Sequence, residues 1–170
     1  MNRMVTIACA LLAALAASAA HGQAYPTKPI KVVIPFVAGG SSDIVGRAIG
    51  SKFQEYLGQP AVVENRPGAN GSIAAEFVAK AEPDGYTILV GSIGVFSINA
   101  ALFKDLRYDP VRDFAPITLA VTTPNVLVTK PDLAPNSMKE LVEFARKNPG
   151  RISYCSSGTG SSDHLTGELF

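Results

Sequence analysis

Two turns rich in glycine and serine contain the residues of this sequence that are best suited to chemistry. The first, residues 39–43 (GGSSD), follows a β-branched run at residues 31–34, and the second, residues 156–162 (SSGTGSS), follows a strand candidate at residues 151–155. Both have the pattern of a strand, a flexible turn and a helix N-terminus. The first N–H groups of a helix lack intrahelical partners and carry the positive end of its dipole. Each turn could therefore hold a carboxylate or phosphate without a catalytic residue.

A single turn of this kind is more simply explained as a tight turn in which Ser42 or Asp43 caps a helix. The presence of two such turns favours a binding role, because ligands of open α/β sheets bind beyond the carboxyl ends of the strands. We therefore predict a small anion-binding cleft between them. A third glycine–serine terminus, residues 91–94, follows the strand candidate 86–90. Its Ser92 is predicted to line the cleft, although a plain loop explains this terminus nearly as well.

Other kinds of site lack their residue patterns. The sequence has only His21 and His164, and Cys155 is the one cysteine after residue 24, so no zinc-ligand pattern exists. The run Ser162-Asp163-His164 cannot act as a catalytic triad, because neighbours on a helix point in different directions. Neither G-x-S-x-G nor a phosphate-loop Gly-Lys-Ser/Thr is present. We expect no enzyme activity, metal or cofactor, with His164 on a helix face and Cys155 buried on a strand.

The elements that must position the first turn alternate between strands and helices. Strands are predicted at residues 31–34, 61–64 and 86–90, and helices at residues 42–57 and 72–81. The second helix is predicted to be capped by Ser72, with Ile73, Phe77 and Val78 facing inward. Short connections between these elements favour a parallel α/β sheet.

The remaining sequence predicts a second set of elements around the second turn. A short helix at residues 100–103 and a polar connector at 105–114 lead to strands at 116–121 and 125–129. A helix at residues 138–147, capped by Ser137 and with Leu141, Val142 and Phe144 inward, precedes the strand 151–155. We place a crossover between two domains near residues 123–125.

Composition and the N-terminus indicate an exported globular protein. Of the 170 residues, 17% are charged and 47% are hydrophobic, and no basic patch is visible, which argues against disorder and nucleic-acid binding. Residues 1–24 have Arg3, an apolar run and small residues, as expected of a signal peptide cleaved between about residues 19 and 24. Removal of Arg3 with the signal peptide brings the net side-chain charge close to zero. A negatively charged ligand would then not be attracted by the overall charge and would need hydrogen-bond donors at its binding site. The one remaining cysteine excludes an intrachain disulfide.

Several ordered motifs resemble the substrate-binding receptors of tripartite tricarboxylate transporters, the Bug family. They are YPTKP (25–29), VIPF with GGSSD (33–36 and 39–43), VENRPGA (63–69), PDGYTI (83–88), YDPVRDFAP (108–116) and SSGTGSSDHL (156–165). The resemblance extends from Tyr25 to Phe170. It implies an α/β, two-lobed periplasmic binding protein of the type II-like class, whose cleft holds a small carboxylate between corresponding turns of the two lobes, partly through water.

Carried over to this sequence, the family's binding turns are residues 36–43 and 157–162. With the strand end at Ser92, the predicted ligand-binding residues are Phe36, Ala38, Gly39, Gly40, Ser41, Ser42, Asp43, Ser92, Ser157, Gly158, Thr159, Gly160, Ser161 and Ser162. Residues 37 and 38 (Val-Ala) depart from many relatives, which have proline or another small residue there. This departure could change the rigidity of the turn without removing its donors.

The resemblance implies a non-enzymatic, monomeric receptor without a cofactor that delivers a carboxylate to membrane transporter subunits. A periplasmic sensor that reports a ligand to a membrane sensor protein is the alternative that the sequence leaves open, and a serine hydrolase ranks third.

Members of the family continue for about another 100–200 residues, the size of a domain. We therefore predict an N-terminal fragment with a signal peptide (1–24), a first lobe (25–123) and the start of an incomplete second lobe (124–170). Such a fragment is expected to expose apolar side chains of the second lobe and to bind weakly or be non-functional.

Overall fold

The structure, a computed structural model, describes residues 24–170. The predicted signal peptide therefore lies outside the described residues, apart from its last position. Between residues 24 and 170, no helix has both the length and the apolar composition needed to cross a membrane.

A three-stranded parallel sheet forms the centre of the fold. Its strands, in the spatial order β2-β1-β3, are β1 (Ile30–Ile34), β2 (Ala61–Asn65) and β3 (Thr87–Leu89). Lys31 of β1 lies opposite Val62 on one side and Thr87 on the other. Because β1 is central, its apolar run is covered on both faces, and Val32 and Val33 are fully buried. The strands predicted at residues 31–34, 61–64 and 86–90 and the parallel α/β arrangement are confirmed.

The helices alternate with these strands and then continue beyond them. The described residues contain α1 (Ser41–Leu57), α2 (Ser72–Ala79), α3 (Asn99–Leu102), α4 (Met138–Lys147) and α5 (Ser162–Leu169), with a 3₁₀ turn at Ala69–Gly71 and a π-helical turn at Gly94–Ile98. The predicted bounds of α4 are confirmed. So is its cap, because the hydroxyl of Ser137 accepts a hydrogen bond from the Glu140 N–H at 3.2 Å. Leu141 is buried, as predicted.

Helix α1 packs on the sheet through glycine rather than through its large apolar residues. Its buried positions are Asp43, Gly46 and Gly50, whereas Ile44 is 63% exposed. A Cβ atom on Gly46 would overlap Cδ1 of Ile34, so the helix approaches the sheet more closely than any other residue there would allow. The apolar spacing correctly predicted a helix, but the inward face does not include Ile44.

Helix α2 begins one residue earlier than its predicted cap implies. Its N-cap is Gly71, in the left-handed conformation with a φ of +84°, and Ser72 is the first helical residue. The hydroxyl of Ser72 instead lies 3.1 Å from the side-chain nitrogen of Asn99. The prediction that Ile73 faces inward is also wrong. Its side chain is 51% exposed, while Ala75 is fully buried, because small residues allow the helix to lie close to the sheet.

Three predicted strands are not strands in the structure. Residues 116–121, 125–129 and 151–155 have no regular secondary structure, and Val128 is 81% exposed. A strand persists only through hydrogen bonds to a neighbouring strand. No such neighbour pairs with these segments among residues 24–170. Cys155, predicted to be buried on a strand, is therefore exposed.

The segment predicted to be a polar connector contributes to the core. Tyr108 is 5% exposed and packs in a buried cluster with Ala75 and Val95, and the rings of Tyr108 and Phe114 meet edge to face with centroids 5.9 Å apart. The connector between residues 105 and 114 thus folds back onto α2 instead of leading directly away from the sheet.

Replacing Gly71 by alanine tests how closely the loop after β2 must approach the core. A Cβ atom there would lie 2.6 Å from Val95 Cγ2 and 2.8 Å from Pro35 Cβ, in a backbone with a positive φ. We expect Gly71→Ala to lower the free energy of unfolding by about 2–5 kcal/mol, combining strain with overpacking. Gly58→Ala is the matched control, because Gly58 has a φ of +71° and open space. Its cost should be about 1–2 kcal/mol. If urea denaturation gave the same loss of unfolding free energy for both variants, the close packing around Gly71 would be contradicted.

Candidate functional site

The first turn ends in a helix whose earliest N–H groups are unpaired. The N-cap of α1 is Gly40, and no side chain caps the helix, so the prediction that Ser42 or Asp43 does so is wrong. Ile44 donates its N–H to the carbonyl of Gly40 at 3.0 Å. None of the residues 24–170 accepts a hydrogen bond from the backbone N–H groups of Ser41, Ser42 or Asp43. These three donors lie at the positive end of the helix dipole, where an anion is stabilised.

The carboxylate of Asp43 holds the first turn in shape. It is 4% exposed and accepts hydrogen bonds from the Gly39 N–H at 2.9 Å, from Nε of Arg47 at 3.0 Å and from Nδ2 of Asn65 at 2.9 Å. Asn65 also donates to the carbonyl of Phe36 at 3.0 Å. The turn is thereby fastened to the end of β2. The Asp43 carboxylate is thus committed to the protein, and its charge is balanced by Arg47.

These contacts explain the acidity of Asp43. The hydrogen bond from Arg47, followed by those from Gly39 and Asn65, lowers its pKa from the usual 3.8 to about 2. The group is therefore ionised at any physiological pH. Because it is neutralised locally by Arg47, it does not cancel the attraction of the free amides for an anion.

The second turn also places a free helix N–H group beside an aspartate that bonds to its own loop, but its helix begins one residue later within the shared sequence. Ser161 is the N-cap of α5, since its hydroxyl accepts a hydrogen bond from the His164 N–H at 3.2 Å. Asp163 accepts hydrogen bonds from both the N–H and the hydroxyl of Ser157, at 2.7 and 2.9 Å. None of the residues 24–170 accepts from the backbone N–H group of Ser162, whereas the N–H of Asp163 interacts with its own carboxylate.

The two turns share the tetrapeptide Gly-Ser-Ser-Asp, at residues 40–43 and 160–163. In the first copy the glycine is the N-cap, and in the second the first serine is. In both copies the aspartate is turned back toward the preceding loop. Partial burial raises the pKa of Asp163, but hydrogen bonds from Ser161 and Ser157 outweigh this effect and bring its pKa to about 2. Both aspartates are therefore anions at physiological pH, and each is bound to its own turn.

The end of β2 and the loop that follows it anchor both turns. Asn65 fastens the first turn, as described above, and Asn70 lies against the second, because a Cβ atom on Gly160 would be 2.9 Å from its Nδ2. The same nitrogen would lie 3.0 Å from a Cβ atom on Gly94, which follows β3. No hydrogen bond among the described residues joins the two turns directly.

The predicted binding residues differ in how accessible they are. Ala38, Gly39, Ser41, Ser157, Gly158, Thr159 and Ser162 are exposed, Phe36, Gly40, Ser42 and Ser92 are half-buried, and Asp43, Gly160 and Ser161 are buried. Sequence reasoning missed the four side chains that shape the turns, namely Arg47, Asn65, Asn70 and Asn99. Of these four residues, only Asn99 could have been suspected from the sequence, because it is a polar residue within an apolar helical stretch.

Two alternative sites are not supported by the described residues. Between residues 24 and 170, no three histidine, cysteine or acidic side chains gather into a metal-binding group. A surface pocket of about 720 Å³ is lined by Ala100 and residues between 103 and 113, and it contains none of the predicted binding residues. Its Asp109 carboxylate is occupied by the N–H groups of Val111 and Arg112 and by the Arg112 side chain.

Comparison with known proteins identifies the family. Residues 45–170 match the family model described as "Tripartite tricarboxylate transporter family receptor". The chain belongs to this receptor family. The predicted resemblance is therefore confirmed. A UPF0065 protein of Bordetella pertussis is 40% identical over 171 residues, covering 99% of this chain and 51% of that protein. The protein BugT of the same species is 37% identical over 147 residues, covering 86% of this chain and 45% of BugT.

Solved structures agree with this assignment. An R. palustris protein with adipate has 37% identity and a TM-score of 0.82, with 85% of this chain and 48% of that chain covered. MatC from Rhodopseudomonas palustris with bound malate has 34% identity and a TM-score of 0.77, with 85% of this chain and 49% of that chain covered. The chain thus has the α/β fold of periplasmic binding proteins, and it spans about half the length of the relatives it matches.

The pKa of Asp43 predicts how the stability of this receptor depends on pH. Because the folded-state pKa is about 2 and the usual value is 3.8, the ionised carboxylate stabilises the fold above about pH 4 and loses this effect as the pH falls toward 2. The difference in free energy of unfolding between wild type and Asp43→Asn should therefore be constant above pH 4 and shrink between pH 4 and 2.

Urea titrations at a series of pH values measure this difference. Ser42→Ala, a neutral change on the same helical turn, is the control, and its difference from wild type should not vary with pH. A wild-type to Asp43→Asn difference that is flat from pH 6 to pH 2 would show that Asp43 is not held as an ion pair.

Proposed function

We propose that this chain acts in a periplasmic solute receptor that binds a small mono- or dicarboxylate at the N-termini of α1 and α5. The observation that supports this most directly is the set of unpaired N–H groups at both helix starts, residues 41–43 and 162. In each turn an aspartate carboxylate, that of Asp43 or Asp163, is already bound within the turn. The donors are left for an external anion.

A carboxylate fits these donors better than a neutral solute does. Charge-assisted hydrogen bonds from backbone N–H groups to a carboxylate are roughly twice as strong as neutral ones, and the helix dipole adds to them. The side-chain charge of residues 25–170 is close to zero, so attraction must come from such local donors. The solved relatives carry adipate in one case and malate in another, and both ligands are dicarboxylates.

The remaining parts of the predicted function are proposed on the basis of the family. The receptor delivers its ligand to membrane subunits of a tripartite tricarboxylate-type transporter, acts as a monomer and catalyses no reaction. Residues 1–24 export it to the periplasm, residues 25–123 form the first lobe, and residues 124–170 belong to the second lobe. The ligand contacts are the turns at 36–43 and 157–162 and the side chain of Ser92.

Calorimetric titration with adipate, malate and dimethyl adipate tests the ligand class. The two dicarboxylates should release or absorb heat in a saturable manner. The diester should not bind, because it has the carbon chain of adipate but no negative charge. NMR spectra of the ligands before and after incubation should be identical. Equal binding of the diester, or consumption of any ligand, would contradict the proposal.

The conformation of the first turn predicts a difference between two adjacent glycines. Gly39 has a φ of +88°, in the left-handed region, whereas Gly40 has a φ of −75°, which any residue adopts. A Cβ atom at either position has room. Gly39→Val should weaken adipate binding about tenfold, because a β-branched residue displaces the turn at a cost of about 1–2 kcal/mol.

Gly40→Ala is the control for Gly39→Val, and its affinity should stay within about twofold of wild type, in line with ordinary surface substitutions. Equal affinities for both variants in the same calorimetric titration would place the binding site away from this turn.

A further inference from the structure

Asn70 has a left-handed backbone conformation, which asparagine tolerates better than most other non-glycine residues. It lies in the loop after β2 with a φ of +49°, and the preceding Ala69 also has a positive φ, of +47°. Two consecutive non-glycine residues rarely occupy this region, because Cβ crowds the backbone there. Such strain persists only where surrounding contacts determine the conformation. The contacts that determine it here are hydrogen bonds to Asn99.

The amide of Asn99 fixes the orientation of the Asn70 amide. Asn99 is fully buried, and its side-chain nitrogen lies within hydrogen-bonding distance of the Asn70 carbonyl, the Ser72 hydroxyl and the Tyr108 hydroxyl, at 3.1, 3.1 and 3.2 Å. The Tyr108 hydroxyl in turn donates to the carbonyl of Val95 at 2.6 Å. With its nitrogen surrounded by acceptors, Asn99 must present its oxygen to Asn70, which donates to it from Nδ2 at 2.8 Å.

The fixed amide of Asn70 forms the surface on which the second turn rests. A Cβ atom on Gly160 would lie 2.9 Å from Asn70 Nδ2 and 2.8 Å from Leu102 Cδ1. Gly160 directly precedes Ser161, the N-cap of α5. The backbone at the start of α5 therefore meets the loop after β2 at a contact that leaves no room for a side chain.

We propose that Asn70 is a positioning residue that seats the second turn against the first lobe and thereby orients the free N–H group at the start of α5. It acts through its contact with Gly160 and needs no contact with the ligand. The effect on ligand affinity rests on the proposed function, whereas the effect on the order of the second turn does not. Oriented donors bind an anion more tightly because less entropy is lost on binding.

A fluorescent label on Cys155 tests the seating without any ligand. Cys155 is exposed and lies five positions before Gly160, and Cys9→Ser leaves it as the one cysteine of the chain. Asn70→Gly keeps the left-handed backbone and removes the amide, and Asn70→Asp keeps the shape but cannot donate to Asn99 when ionised. Both variants should lower the fluorescence anisotropy of the label at temperatures where the protein is folded by circular dichroism.

A double-mutant cycle tests whether the effect passes through Gly160. Gly160→Ala alone should reduce adipate affinity about two- to tenfold, the range that corresponds to the loss of one neutral hydrogen bond. In the Asn70→Gly background the further loss caused by Gly160→Ala should be smaller, because the contacting amide is gone. Gly158→Ala is the matched control. Gly158 has a φ of +135° and open space, so its effect should be the same in both backgrounds.

The outcomes separate the positioning role from the binding function. Lower anisotropy in both Asn70 variants, together with coupling to Gly160 but not to Gly158, supports the proposal. Wild-type anisotropy in both Asn70 variants would overturn it, as would equal coupling of Asn70 to Gly158 and Gly160. If anisotropy falls but wild-type protein binds no dicarboxylate, the seating stands and the proposed function fails.

Discussion

The buried carboxylate of Asp43 is the constraint on which the arrangement of the first turn depends. A carboxylate removed from water must be compensated by donors and by an opposite charge. Here Gly39, Arg47 and Asn65 supply them, and each fixes a different part of the chain: the turn, the next turn of α1 and the end of β2. Because Asp43 turns back to the loop, the helix start remains uncapped. The burial of Asp43 is thus accompanied by free N–H groups at the start of α1.

The second turn is held by different partners, and its half-buried aspartate is stabilised by hydrogen bonds without an ion pair. Asp163 is held by Ser157, and the start of α5 is seated on Asn70, whose amide is oriented by the buried Asn99. The two helix starts are therefore connected through the protein by asparagine side chains near the end of β2 rather than by direct contact.

The sequence predicted the elements whose signals are local. β1 and its neighbours were recognised from β-branched runs, and α4 from its Ser137 cap and apolar spacing, since these features depend on residues close in sequence. Long-range contacts were not predictable. The roles of Asn65 and Asn99 depend on partners 22 to 29 positions away, and the strand candidate at 125–129 depends on a neighbouring strand that the described residues do not contain. The family could be identified from the order of the motifs along the sequence, because that comparison does not depend on knowing which residues contact each other in the fold.

The central claim is that the N–H groups at the starts of α1 and α5 bind the carboxylate. Titration of ¹⁵N-labelled protein with adipate, followed by two-dimensional NMR, tests it most directly. The account predicts that the amide signals of Ser41, Ser42 and Ser162 move downfield with one common saturation curve, as expected when N–H groups donate to an anion. Saturable shifts confined to other residues, with these three signals unmoved, would contradict it.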